Sequence, residues 1–162
     1  MKGICIVPGT FDPVTVGHYD VFRRVSKLFV KSYVTVFENS SKHTMFTAKE
    51  RFEMLKLACE GLSNVEVGYT NKLVVDYAAE KGAGFIVKGV RNMIDFDYEY
   101  QLATINNELN ENLDTLFIPS RSEHSYISST FVREMILYKR DITKYVPPKV
   151  CDYINTLRWE NE

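Results

Sequence analysis

Between Pro8 and His18 the chain reads PGTFDPVTVGH, placing two glycines, two threonines, an aspartate and a histidine between an apolar run and a helical pattern. It has neither the Gly-x-Gly-x-x-Gly spacing of a dinucleotide fingerprint nor the Gly-Lys-Ser/Thr of a P-loop. Gly9, Thr10 and Phe11 still offer closely spaced backbone N–H groups, and a helix is expected to begin after Gly17-His18. Unpaired N–H groups and the dipole at such a start attract anions. A histidine there can donate a hydrogen bond to a phosphate oxygen. Taken singly, His18 reads more readily as a capping or surface histidine.

Three further segments bring donors or cations. NSSKHTMF carries Lys42, whose ammonium can act as a point charge, while His43 has no partner that the sequence reveals and reads as surface. KGVRNMIDFDYE sets Lys88 and Arg91 around Gly89, which permits close backbone approach. Lysine suits phosphate as a single charge and arginine as a fork. Asp95, Asp97 and Glu99 follow in the first turns of a helix, where the first two serve its dipole. SRSEHSYISSTFVRE enters another helix at Ser128, Ser129 and Thr130. Capping needs one hydroxyl, so three beside free N–H groups make a second anion cradle. Each segment alone is ordinary; four of them in a chain of net charge −1 point to a polyphosphate site.

The four converge only if the elements bring them to one edge. Short β-branched runs at 3–7, 32–38, 64–69, 85–89 and 115–119 predict strands, two of them apolar enough to be buried on both faces. Helical patterns alternate with them. Thr47 and Glu50 form a capping box, Gly82 closes a helix, and Pro147-Pro148 suits a first turn. The helix over 94–110 has two apolar stripes. Ile94, Tyr98, Leu102, Ile105 and Leu109 would face the core; Phe96, Tyr100 and Ala103 would need cover from another subunit or from the same domain. Strand and helix alternating five times predict an α/β fold with a parallel sheet and right-handed crossovers. Ligands then lie at the carboxyl ends of the strands, which selects the loops after residues 7, 38, 69, 88 and 119.

Composition sets the outer limits. At 162 residues, 45% hydrophobic and 25% charged, the chain predicts one domain spanning 1–162, with the helices from about 128 completing the site and the fold. A chain this size buries about 70% of its unfolded surface. Cys5, Cys59 and Cys151 form no Cys-x-x-Cys pair and suit a reducing compartment. No apolar stretch approaches membrane length, and the near-neutral charge argues against a nucleic-acid footprint. A cytoplasmic protein binding neither nucleic acid nor membrane is expected.

GTFDPVTVGH resembles the Thr/His-x-Gly-His signature of the nucleotidylyltransferase superfamily, and ISSTFVRE its Ser/Thr-rich second motif. With SSKHTMFTAKER, KGVRNMIDFDYEYQLA and EHSYISST in this order, nearly the whole chain resembles the bacterial phosphopantetheine adenylyltransferases. The resemblance implies a Rossmann-like doubly wound five-stranded sheet, a homohexamer and Mg²⁺. It implies adenylyl transfer from ATP to 4′-phosphopantetheine in coenzyme A synthesis, with coenzyme A as a feedback ligand. It also implies that His18 stabilises the transition state, and that Thr10, Lys42, Val74 and Lys88 bind the acceptor. ATP would be held by Thr10, Phe11, His18, Gly89, Val90, Arg91, Glu99 and the stretch His124, Ser125, Tyr126, Ile127, Ser128, Ser129 and Thr130. Mg²⁺ would come mainly through the ATP phosphates, with no metal-ligating residue assigned. Lys88 stands where the family usually has arginine, His124 where some members have tryptophan, and Lys72 where some carry an acid. A related transferase with another phosphorylated acceptor, and a catalytically silent binding module, are the rival readings.

Overall fold

In the computed structural model, which describes residues 3–38 and 43–159, the apolar runs become five parallel strands. These are β1 (Ile4–Gly9), β2 (Lys31–Phe37), β3 (Val65–Thr70), β4 (Phe85–Val90) and β5 (Asp114–Pro119), in the order β3-β2-β1-β4-β5. Six α-helices accompany them among the described residues: α1 (Val16–Leu28), α2 (Ala48–Cys59), α3 (Val74–Lys81), α4 (Met93–Leu109), α5 (Ser129–Leu137) and α6 (Pro148–Trp159). The result is a Rossmann-like, doubly wound α/β fold.

Strand alternation fills both faces of the sheet. Cys5, Val7 and Val87 join Phe22 and Val25 of α1, Met54 and Leu55 of α2, Val132 of α5 and Ile154 of α6 in the larger core. Ile6 and Ile86 turn the other way, onto Val75, Tyr77 and Ala78 of α3. Burial on both sides is what near-continuous apolar runs are for.

The sheet opens where its winding reverses. β1 pairs with β2 along its full length, from Ile4↔Lys31 to Gly9↔Val36, but with β4 only at Cys5↔Phe85 and Ile6↔Ile86. Beyond those pairs β1 and β4 part, and a crevice opens at their carboxyl ends, as expected at a topological switch point. β1 also continues past its apolar run, through Pro8 to Gly9. Proline fits because a strand residue aims its N–H and C=O the same way, and Pro8 aims toward β4 where no ladder remains. Its carbonyl instead accepts from Lys88 Nζ at 3.4 Å.

The predicted helix ends mostly form as expected. Thr47 Oγ1 accepts from Glu50 N at 3.3 Å while Glu50 Oε2 accepts from Thr47 N at 2.6 Å. Gly82 takes a φ of 62° after α3, and Pro148 opens α6. Two expectations need correction. α1 starts at Val16, before Gly17-His18, because Thr15 caps it. On α4 most of the expected core stripe is exposed, Ile94, Tyr98, Ile105 and Leu109 included, while Phe96 of the second stripe packs edge-on against Phe117 of β5 at 5.1 Å and Tyr100 of that stripe stays exposed. Both stripes are apolar, so periodicity alone could not say which one meets the sheet. Among the described residues no helix is long and apolar enough to cross a membrane.

Candidate active site

The parting of β1 and β4 leaves a cleft of about 670 Å³. Its walls include nine of the residues expected there: Thr10, Phe11, His18, Val74, Lys88, Gly89, Glu99, Ser129 and Thr130. Lys42 lies outside the described residues.

His18 owes its orientation to the start of α1. Thr15 is the N-cap and His18 the third helical residue, so the pair forms a capping box with histidine where glutamate or glutamine is usual. Thr15 Oγ1 accepts from His18 N at 3.3 Å, and the Thr15 backbone N–H donates to His18 Nδ1 at 3.1 Å. An N–H can only donate, so Nδ1 carries no proton and Nε2 does. The ring is wedged between Phe11, edge-on at 5.2 Å, and Phe22, parallel at 6.4 Å. Burial pushes the imidazolium down to about 4, and the charges of Arg91 and Lys88 push the same way. His18 is therefore a neutral imidazole in the cleft wall, with a defined N–H to donate.

Lys88 reaches across the opening between the strands. Its Nζ lies 3.1 Å from Glu99 Oε2 and 3.4 Å from the Pro8 carbonyl. The contact with Glu99 is an ion pair too bent to be a hydrogen bond, which leaves Glu99 Oε2 buried with no hydrogen-bond donor. Arg91 does not line the cleft. Its fork grips Asp95, with Nε to Oδ2 at 2.8 Å and Nη2 to Oδ1 at 3.1 Å, while Nη1 reaches the Ile127 carbonyl at 3.4 Å. Val90 ends β4 opposite Pro119, away from the opening.

The last loop divides its work. Ser128 caps α5 through Phe131 N at 3.0 Å. Ser129 Oγ donates to the Pro13 carbonyl at 2.8 Å, tying α5 to the first loop. Thr130 Oγ1 accepts from Arg133 Nη2 at 3.1 Å. Ile127 is a core residue, Tyr126 is exposed, and Ser125 Oγ turns back to the Ser122 carbonyl at 2.9 Å. His124 packs close to Gly17 at the start of α1.

Several cleft residues escaped the sequence reading. Asp12 and Arg133 line it, as do Tyr98, Thr44 and the exposed His43, which the sequence alone presents as plain surface. Arg133 was within reach of inference, since it sits one helical turn after Thr130 and shares its face. Tyr98 and Thr44 carried no such signal. Among the described residues no three His, Cys, Asp or Glu side chains gather to hold a metal. The carboxylates in the walls are committed, Asp12 to backbone N–H groups and Arg133, Glu99 to Lys88.

Residues 6–135 match the cytidylyltransferase-like family. A phosphopantetheine adenylyltransferase of Lachnoclostridium phytofermentans is 42% identical over 151 residues, covering 93% of both chains. The chain belongs to the phosphopantetheine adenylyltransferase family. It is accordingly a nucleotidyltransferase. Two solved structures of Plasmodium falciparum nicotinic acid mononucleotide adenylyltransferase, complexed with APC and with NaAD, share its fold. They superpose with TM-scores of 0.71 and 0.66 at 19% and 20% identity, each covering 99% of this chain and 98% of the other.

Within this phosphopantetheine adenylyltransferase fold the three departures from the family's usual residues find their places. Lys88 is the point charge between Pro8 and Glu99. His124 supports Gly17 from outside the cleft wall. Lys72 is exposed and paired with Glu80 at 2.7 Å.

Proposed function

We propose that this chain transfers the adenylyl group of ATP to the phosphate of 4′-phosphopantetheine, releasing pyrophosphate and dephospho-coenzyme A, by one in-line displacement. The observation that carries this reading is the neutral, Nε2-protonated His18 in a cleft walled by Lys88 on one side and the α5 N-terminus on the other.

A phosphate monoester has its second pKa near 6, so the acceptor is largely a dianion at neutral pH and attacks without a base. What opposes reaction is repulsion between two anions and the charge growing on the α-phosphate. Lys88 offsets the first, holding the acceptor phosphate with Thr10, while Val74 and the exposed Leu73 lie along the pantetheine arm. His18 meets the second by donating Nε2–H to an α-phosphate oxygen, a preorganised contact of the kind that dominates such catalysis. ATP rests against the Ser129 and Thr130 end of α5, where hydroxyls and the helix N-terminus suit polyphosphate. Lys42 is assigned to the acceptor side by resemblance. Arg91, Gly89, Val90, Glu99 and the stretch from His124 form the nucleotide's outer shell by the same argument, with Arg91 exchanging or sharing Asp95. Mg²⁺ would be held by the phosphates of ATP, where it would offset their negative charge.

Cys5, Cys59 and Cys151 are all buried, and none of them lines the cleft. Burial pushes the Cys5 thiol up to about 11 against the weaker opposing effect of its hydrogen bond with Ser32, and Cys59 up to about 12. Neither supplies thiolate at neutral pH. Coenzyme A, which shares the product's pantetheine arm, would occupy the same cleft as a feedback ligand. We assign the protein to the cytoplasm and to a homohexamer, the exposed stripe of α4 favouring a covered face. Pyrophosphate release from ATP tests the reading directly. It is expected with 4′-phosphopantetheine and not with pantetheine, which offers an alcohol and finds no base; release with nicotinamide mononucleotide instead would overturn it.

A further inference from the structure

Asp12 and Arg51, charged residues that the transfer chemistry does not use, are almost wholly buried, each 3% exposed. Arg51, on α2, donates from Nε to the Phe46 carbonyl at 3.2 Å and from Nη1 to the Thr10 carbonyl at 2.9 Å. Asp12, in the first loop, accepts from the backbone N–H groups of Met45 at 2.9 Å and Phe46 at 3.0 Å. The two residues face in opposite directions along the chain. Arg51 ties α2 back to the first loop, and Asp12 ties the first loop forward to the segment before α2. Arg133 Nη1 adds a bond to the Asp12 carbonyl at 2.6 Å, which brings α5 into the same lock.

The turn so held lies directly under the reacting edge. Phe11 sits in the left-handed region at φ 51°, a conformation that a non-glycine residue keeps only when its surroundings fix it. Its ring is the edge-on support of His18. Burying an arginine's charge against carbonyls is costly if packing were its only purpose, because an apolar side chain of similar volume would fill the space without desolvating a cation. A planar fork reaching two carbonyls from different segments does what an apolar chain cannot: it fixes their separation.

We propose that Arg51 and Asp12 are positioning residues for adenylyl transfer. They hold the Thr10-Phe11 turn against the Met45-Phe46 segment, and through Phe11 they set the place of His18. The inference rests on the proposed reaction. It predicts that loosening the lock lowers turnover more than it weakens ATP binding, since misplacement of catalytic groups by about 1 Å can cost about 10²-fold.

Arg51→Met, Arg51→Lys and Asp12→Asn test it, with Asn64→Ala as control. Asn64 makes two 2.8 Å bonds, to the carbonyls of Ser26 and Phe29, at the amino edge of the sheet and far from the cleft. Arg51→Met and Asp12→Asn should lower kcat by about 10–100-fold with the ATP dissociation constant unchanged. Arg51→Lys should recover part of the loss, since an ammonium keeps the charge but reaches only one carbonyl well. Asn64→Ala should lower Tm and leave kcat intact. Loss of Tm in Arg51→Lys and Asp12→Asn with kcat retained would overturn the proposal and leave the pair a folding device. Amide exchange at Met45 and Phe46 reads the lock without any acceptor. Faster exchange there in Asp12→Asn supports the lock even if 4′-phosphopantetheine proves to be the wrong acceptor, and unchanged exchange overturns it even if the acceptor is right.

Discussion

A neutral imidazole is the useful form of His18, because a cation fixed beside Lys88 and Arg91 would repel its neighbours and a free ring would have no set tautomer. The capping box supplies both conditions at once: the Thr15 N–H occupies Nδ1, and the proton must sit on Nε2. His18→Ala should therefore lower turnover by about 10²–10³-fold, the scale of losing one transition-state donor. The same variant loses part of a helix cap, at about 1 kcal/mol in thermal or denaturant unfolding. Turnover within a few-fold of wild type in the folded variant would remove His18 from the mechanism. Stability should carry the same signature. An imidazole takes its proton at 6.5 when unfolded and at about 4 here, so the unfolded chain binds the proton first as pH falls. The contribution is complete above about 6.5 and is lost progressively on the way down to about 4. The denaturant midpoint should fall less between pH 7 and pH 4.5 in His18→Ala than in wild type. This residue was legible in the sequence as a cap or a phosphate donor, and the structure shows the cap in place at the wall of the cleft. What could not be read was the tautomer, which depends on one backbone N–H three residues earlier.

At the scale of elements, the gap between β1 and β4 makes the site, and it is narrow enough to be sensitive to single atoms. A Cβ on Gly9 would sit 2.6 Å from the Phe11 ring. Gly9→Ala must displace that ring, the edge-on support of His18, costing about 1–3 kcal/mol as overpacking does and lowering kcat with it; a normal kcat would show that the ring does not support the donor. Lys88→Arg should keep acceptor affinity, since a fork can replace a point charge on phosphate and Glu99 can pair with either. A large rise in acceptor KM would mean that the pocket is shaped around the ammonium. The loops to inspect followed from strand–helix alternation alone, and nine expected residues do line the cleft. The stripes of α4 did not follow, because two apolar faces on one helix look alike until Phe117 of β5 meets one of them. Nor did Asp12 and Arg51, whose role exists only when two loops distant in sequence are folded together.

The whole molecule carries a net charge of −1 and yet sets Lys88, Arg133, the His18 imidazole and the start of α5 around one cleft. Binding of two polyanions is therefore a property of placement and not of composition. Its other unbalanced feature is α4, with Met93 and Ile94 more than three-quarters exposed. Light scattering at micromolar concentration should find a symmetric oligomer, and Ile94→Glu should dissociate it. Only an 18.8 kDa species in the wild type would contradict that assembly. The proposed transfer is above all a single displacement at the α-phosphorus, driven by positioning and electrostatics without a covalent adenylyl-protein. The stereochemical course with ATP made chiral at that phosphorus by sulfur substitution is the most direct test. Inversion of configuration in the dephospho-coenzyme A product is the predicted result, and retention, which requires two displacements through a nucleophile on the protein, would contradict it.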